Sequence, residues 1–389
     1  MIKHRTILAQ LLDYVPRRQF QRLVERHRGL HNVRSFSCWD QFLCMLFAQL
    51  TNRDSLRDIE VCLRGMKEKL YRLGLRGRIS RSTLSEANEK RSSKIYEDLC
   101  KFLIQRAQSL YANEVVLSEL ITFAYALDSS WIQLCLSFCP WARFGGDDRA
   151  FVKLHTLLDL KGSIPSFITV SRANINDFQM LDTIPITPGA FYIMDKGYFD
   201  LARMHKIKEQ CGYFVIRKKK FVKVTRCSTN SLDGESDGVR ADYIVTFRGR
   251  WARKNYPDQI RLIKFYDYPT EKAFSFLTNN FTLPPLLICR LYKERWQIEL
   301  FFRWVKQHLR VTKFYGTSLN AVETQIWIAT CAYLLVAIAK KELCLEVPLY
   351  QILQFLSVSL FEEKPILQAF SELHEQKFPE PPGNQLNLF

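Results

Sequence analysis

The chain has 389 residues, 47% of them hydrophobic, with 56 Lys and Arg against 39 Asp and Glu and a formal net charge of +17. This length admits two or three domains with packed cores, and the hydrophobic content argues against disorder. Basicity on this scale favours a polyanionic partner, most often nucleic acid, over a ribosome-associated or membrane-surface role. Eleven cysteines at irregular spacings, with no CxxC pair, argue against structural zinc; Cys135 and Cys139 are the closest pair, in a strand-like context. Their odd number and the lack of a signal peptide point to a reducing, cytoplasmic setting.

Residues 1–110 read as helical and basic. Helical periodicity runs through 39–50, breaks at Thr51-Asn52-Arg53-Asp54 and resumes through 55–63. After the LGLRGRIS stretch, Ser80 or Ser82 can cap a further helix, TLSEANEKRSSKIYEDLCKFLI. Short helices with a basic lead-in suit either a helix-turn-helix-like DNA reader or an ordinary helical bundle.

From Leu117 the texture changes to strands. LITFAYAL ends in Asp128-Ser129-Ser130 and is followed by WIQLCLSFC; KLHTLLDLKG and IPSFITVS flank a turn. ANINDFQMLDTI reads as a helix, AFYIM as a short buried strand entering Asp195, LARMHKIKEQ as a helix and GYFVIRKKK as a strand. Strand, strand, strand, helix, strand, helix, strand is the order of a ribonuclease H-like α/β core. Residues 218–285 read as a β-rich insertion with a polar loop, SLDGESDG. The apolar run 326–339 is too short to span a bilayer and reads as a core helix, and the tail PEPPGNQLNLF reads as frayed.

The segment LICRLYKERWQIELFFRWVKQHLRV carries the most information. At about 100° per residue, Arg295, Glu299 and Lys306 fall roughly 60°, 20° and 40° behind Tyr292, within one arc of about 60°. Leu291, Ile298, Phe302, Val305 and Leu309 form the adjoining apolar stripe. One acid flanked by cations suits a site that holds a metal ion and a phosphate chain together. Phosphodiester chemistry by two metal ions needs several carboxylates at one point. Asp128 and Asp195 each close a short apolar strand, so adjacent strand ends could bring them together, with Glu299 added from the helix. Glu294 lies at about −160°, away from the stripe. Asp147, Asp148, Asp159 and Asp200 read as surface or turn residues. No glycine-rich dinucleotide loop or P-loop is present, which argues against small-molecule metabolism.

The spacing Y-x2-R-x3-E-x6-K, occupied by Tyr292, Arg295, Glu299 and Lys306, resembles the signature of the insertion-sequence-four family of bacterial DDE transposases. KFYGTSLNAVETQIWIA, the MDKGYF block at 194–199, LDSS at 127–130 and HRTILAQLLDYVPRRQFQRLVERH near the start are also similar to that family. The resemblance implies a helical DNA-binding domain at 1–110, a ribonuclease H-like core at 117–217 and 286–345 interrupted by the 218–285 insertion, and a C-terminal helical segment and tail at 346–389. It implies cut-and-paste transposition by Asp128, Asp195 and Glu299, which would ligate two Mg²⁺ or Mn²⁺ ions. Each end would be nicked, closed as a hairpin, reopened and joined to target DNA. Tyr292, Arg295 and Lys306 would grip terminal phosphates, and Arg217, Lys218, Lys219 and Lys220 could track the DNA backbone or form a solvated strand end. Trp251, in the basic RGRWARKNY loop, would hold a flipped base or simply pack. The implied partners are double-stranded DNA (the terminal inverted repeats and the target) and a second copy of the chain in a synaptic homodimer. The expected place is the cytoplasm, at the nucleoid. The alternatives are a catalytically silent DNA-binding regulator or decayed transposase, and a nuclease that cuts without joining.

Overall fold

A computed structural model describes residues 5–31, 33, 35–75, 79–144, 149–232, 237–308 and 314–375. Asp147, Asp148, Leu309, the PEPPGNQLNLF tail and parts of the LGLRGRIS and SLDGESDG loops lie outside the described residues. The chain divides into two compact units. Of the described residues, one holds those up to Ala112, Trp131–Val152 and those from Phe301 on; the other holds Asn113–Ser130 and Lys153–Leu300.

The first unit is largely helical. Ser37 and Asp40 close a capping box on the Cys38–Leu50 helix, which is buried along most of its length. The chain breaks at Thr51–Asp54 and resumes in Leu56–Gly65, capped by Ser55. Ser80, rather than Ser82, caps the next helix, its Oγ accepting the Thr83 N–H at 3.2 Å. The single helix read over TLSEANEKRSSKIYEDLCKFLI is two, Arg81–Lys90 and Lys94–Tyr111. Arg91 is extended between them, its guanidinium donating to the Ser37 carbonyl at 2.8 Å, while the Ser93 N–H donates to Asn320 Oδ1 at 3.0 Å. Those tertiary bonds outweigh local helix propensity. The apolar run 326–339 lies within a 24-residue helix, Leu319–Glu342, longer than the run suggested. By length and composition it could cross a bilayer, but 94% of its most apolar window is buried inside the protein. It packs against Lys94–Tyr111, where the Tyr111 hydroxyl donates to the Ala337 carbonyl at 3.0 Å.

The second unit is built on a mixed sheet, of which only Trp131–Leu134 of the first strand and Ala150–Val152 of the second are counted with the helical unit. Its strands are β1 Ala124–Leu134, β2 Ala150–Asp159, β3 Ile164–Arg172, β4 Phe191–Met194, β5 Tyr213–Arg217, β6 Val224–Thr229, β7 Val239–Phe247, β8 Ile260–Asp267 and β9 Lys272–Thr278. They lie in the order β3-β2-β1-β4-β5-β9-β8-β7-β6. β1, β4 and β5 are parallel neighbours. The Leu160 N–H donates to the Ala124 carbonyl at 3.0 Å, bringing the end of β2 to the start of β1 as an antiparallel return requires. All four residues of β4 are buried, as a central parallel strand requires. Residues 218–285 do not form a sheet of their own: β9 pairs antiparallel with β5, and β8, β7 and β6 extend the same sheet. Tyr192, Phe214, Phe247 and Tyr256 fill the core.

Two local expectations are corrected. The helix read over ANINDFQMLDTI is only a 3₁₀ turn, Asp177–Asp182, whose acids are held by distant partners, Asp177 by Ser129 and Lys153 and Asp182 by Arg203. Asp159, read as a surface or turn residue, is 8% exposed at the end of β2 and accepts the Lys161 N–H at 2.9 Å; Asp200 caps the Leu201–Glu209 helix. Burial pushes the Asp159 acid up to about 6. An acid whose folded pKa is raised adds no penalty below about pH 4, where both states are protonated, and its full penalty above about pH 6. Asp159→Asn is therefore expected to melt higher than the native protein above pH 6 and to converge with it near pH 4. Parallel melting curves at both pH values would count against a buried charge here.

Candidate active site

Register alone brings the two aspartates together. Leu127 of β1 is paired with Met194 of β4, and Met194 with Ile216 of β5. The next residues, Asp128, Asp195 and Arg217, therefore stand abreast on three adjacent parallel strands, with backbones about 5 Å apart from strand to strand. Such carboxyl-terminal edges are where open α/β sheets bind ligands. Asp128 does not close its strand, as sequence suggested; β1 runs on to Leu134, so only Asp195 stands at a strand end.

The segment expected to be one helix is three pieces: Pro285–Glu294, Trp296–Arg303 and a π-helical turn, Trp304–His308. At the first junction the Arg295 N–H bonds to the Tyr292 carbonyl at 3.2 Å and the Ile298 N–H to the Arg295 carbonyl at 3.1 Å. These are tight i to i−3 turns, and the π turn that follows is a wide one. Tyr292, Arg295 and Glu299 nonetheless line one cleft of about 370 Å³ with Asp128, Asp195 and Arg217. Lys306 is not among its lining residues; it lies in the π turn, on the part of the chain counted with the helical unit, and burial lowers its pKa.

Contacts inside the cleft are specific. Arg295 Nη1 donates to Asp128 Oδ2 at 2.9 Å and its Nη2 to Glu299 Oε1 at 2.6 Å. The Tyr292 hydroxyl donates to Asp195 Oδ1 at 3.4 Å, and its ring packs 4.5 Å from that of Phe276 on β9. Arg217 lies 4.9 Å over the Phe274 ring. Burial pushes the Asp128 acid up to about 6; Arg295 opposes the shift, while Glu299 and Asp195 add to it. Burial works against the Arg295 cation, but Asp128, Tyr292 and Glu299 outweigh it and raise its pKa. Burial also pushes the Tyr292 phenol up to about 12, so it stays protonated and can donate.

Sequence reasoning missed other lining residues: Lys196, Phe274, Lys293 and Trp296. Lys196 was legible as the residue after Asp195. Phe274 and Lys293 were not, since their positions depend on the β5–β9 pairing and on an ion pair between Lys293 and Asp267. Trp251 lies away from this cleft's lining, 69% exposed on the short Arg250–Asn255 helix, with Arg250, Arg253 and Lys254 on the same turn. Lys218 lines a neighbouring groove with Lys196, Arg217, Lys219, Lys220 and Phe221, and burial lowers its pKa.

Paired aspartates on adjacent parallel strands, facing an acid and cations from the helical segment, define the class: an α/β protein whose cleft sets three carboxylates against Lys196, Arg217, Lys293 and Arg295. Residues 124–335, more than half of the chain, match the transposase DDE domain, and the chain belongs to that family. Residues 3–76 match a domain of unknown function (DUF4372). The y4zB protein of Sinorhizobium fredii, described as a transposase, is 35% identical over 62% of this chain and 67% of its own length. Proteins described as transposases for the insertion sequence elements IS5377 of Geobacillus stearothermophilus and IS4SA of Synechocystis are 30% and 28% identical. They align over 54% and 69% of this chain and over 54% and 75% of their own lengths. The piggyBac transposase synaptic complex with hairpin DNA aligns over 96% of this chain and 84% of that one, with a TM-score of 0.45 at 11% identity.

The family implies a dependence on divalent metal ions, and the donor chemistry here fits a hard cation, since the three acids facing the cleft offer only oxygens. Their spacing fits less directly. Among the described residues no three acidic, histidine or cysteine side chains lie close enough to hold an ion, and the Arg295 guanidinium stands between Asp128 and Glu299. Asp128 and Asp195 are the pair that register already sets side by side.

Proposed function

We propose that this chain is a DNA transposase of the insertion-sequence-four group, cutting and joining the ends of its own element at the cleft of Asp128, Asp195 and Glu299. The observation that carries this reading is the β1–β4 register, which sets the two aspartates abreast in the cleft that Glu299 also lines. Strand order β3-β2-β1-β4-β5 with a parallel β1-β4-β5 block supports a ribonuclease H-like core for 117–217 and 286–345. Residues 1–110 would carry a helical DNA-binding part, 218–285 the insertion and 346–389 a C-terminal helical segment. Asp128, Asp195 and Glu299 would hold two Mg²⁺ or Mn²⁺ ions, which when bound supply an activated water or 3′-hydroxyl and neutralise the departing oxygen. Tyr292 donates a hydrogen bond, and Arg295 and Arg217 present cations to a phosphate at the same mouth. Lys306 and Lys218 belong to the same proposed set of phosphate contacts. Trp251, exposed among basic residues, would stack a flipped base during hairpin formation. A synaptic homodimer on DNA at the nucleoid completes the reading.

The test is purified protein with the inverted repeats that flank its reading frame, in Mg²⁺ or Mn²⁺. Nicked ends, then hairpins, then strand-transfer products are expected; Trp251→Ala should lower hairpin yield about tenfold while sparing the first nick. Nicking without joining would instead indicate a nuclease. One observation favours a second reading, a DNA-binding regulator without catalysis: Arg295 already pairs with two of the three acids. Tight end binding without any nick would support it.

A further inference from the structure

One carboxylate outside the triad touches the Asp128 strand and borders the Asp195 turn. Asp177 opens the 3₁₀ turn after β3, and its Oδ1 accepts the Ser129 hydroxyl at 2.7 Å and the Lys153 ammonium at 3.2 Å. Lys153 is 5% exposed on β2 and also donates to the Ile175 carbonyl at 2.8 Å, so the charge of Asp177 is matched by a fixed cation. Ser129 in turn aims its backbone N–H at Asp128 Oδ1, 2.8 Å away. On the other side lies Gly197, two residues past Asp195; a methyl group built there would stand 4.0 Å from Asp177 Oδ2. The bond from Ser129 to Asp177 fixes the backbone that orients Asp128, and Asp177 also lies beside the turn that carries Asp195.

We propose that Asp177 is a positioning residue for the metal site, holding the Asp128 carboxylate in its ligating orientation through Ser129. This rests on the reading that Asp128 is a metal ligand. With its own charge matched by Lys153, Asp177 supports the cleft without acting as a further ligand. Its role resembles that of the outer partners that orient ligating side chains in metal sites, whose loss costs about tenfold or more in metal affinity.

The test is Mn²⁺ binding to the full-length protein, followed by electron paramagnetic resonance, beside the Mn²⁺ concentration for half-maximal end cleavage. Asp177→Ala and Ser129→Ala should each weaken Mn²⁺ binding about tenfold, and the double variant should be no weaker than the worse single one. Asp177→Asn, which keeps an acceptor for Ser129, should restore most of the affinity. Ser129→Ala removes the same bond without unpairing Lys153, so it stays informative if Asp177→Ala melts early. Native affinity in Ser129→Ala, or losses that multiply in the double variant, would overturn the proposal. If Asp128→Asn binds Mn²⁺ as the native protein does, the ligand reading beneath the proposal has failed. Weakened binding in Asp128→Asn with native affinity in Ser129→Ala would leave that reading standing and remove Asp177 alone.

Discussion

Asp128→Asn is expected to lower end cleavage about a thousandfold, the loss of several kcal/mol of charge stabilisation, while leaving DNA-end binding within about twofold. Asparagine keeps the size of the side chain and an acceptor for the Ser129 N–H, so the strand and its register are preserved. Nor should folding suffer. Burial pushes the Asp128 acid up to about 6, so the charged form costs stability at neutral pH, a cost the neutral side chain avoids. Full-rate cleavage by this variant would remove Asp128 from the site. A lowered melting temperature would instead show that Arg295 depends on it for burial.

The second large effect lies in a buried ion pair between β7 and β8. Arg261 on β8 and Asp242 on β7 are 3% and 2% exposed and pair through three hydrogen bonds, Nε to Oδ1 at 2.9 Å and to Oδ2 at 3.1 Å, and Nη2 to Oδ2 at 2.7 Å. Arg261 Nη1 also donates to the Leu283 carbonyl at 2.7 Å, at the entry to the Pro285–Glu294 helix that carries Tyr292. Arg261→Met would leave Asp242 buried without its cation and is expected to destabilise the protein by about 3–5 kcal/mol. Urea unfolding checks this, and the Asp242→Leu, Arg261→Met pair should recover part of the loss. An unchanged unfolding midpoint in the single variant would mean that the pair does not hold the sheet to the helix.

What the sequence made legible depended on locality. The apolar runs before Asp128 and Asp195 mark buried parallel strands, because such strands are covered on both faces. Tyr292, Arg295 and Glu299 share an arc over two turns, and a short arc survives one tight step at Arg295. Lys306 is a further two turns on, past a π turn, and there the assumption of uniform rotation ends. β1 continues through Asp128-Ser129-Ser130, although three polar residues in a row read as a strand end. The partner that makes a strand of them is non-local, as is the β5–β9 pairing that merges residues 218–285 into the main sheet. Asp177 gave no signal at all: an Asp in a polar stretch gains meaning only from Ser129 and Lys153, 48 and 24 residues away in sequence.

The central claim is that Asp128, Asp195 and Glu299 bind metal directly, and ligand replacement tests it best. Each is changed in turn to cysteine, and end cleavage is measured in Mg²⁺ and in Mn²⁺. Mg²⁺ demands hard oxygen donors, whereas Mn²⁺ accepts a thiolate more readily. All three cysteine proteins should be silent in Mg²⁺ and regain part of their cleavage in Mn²⁺. Native cleavage in Mg²⁺ by any one of them would contradict its place among the ligands.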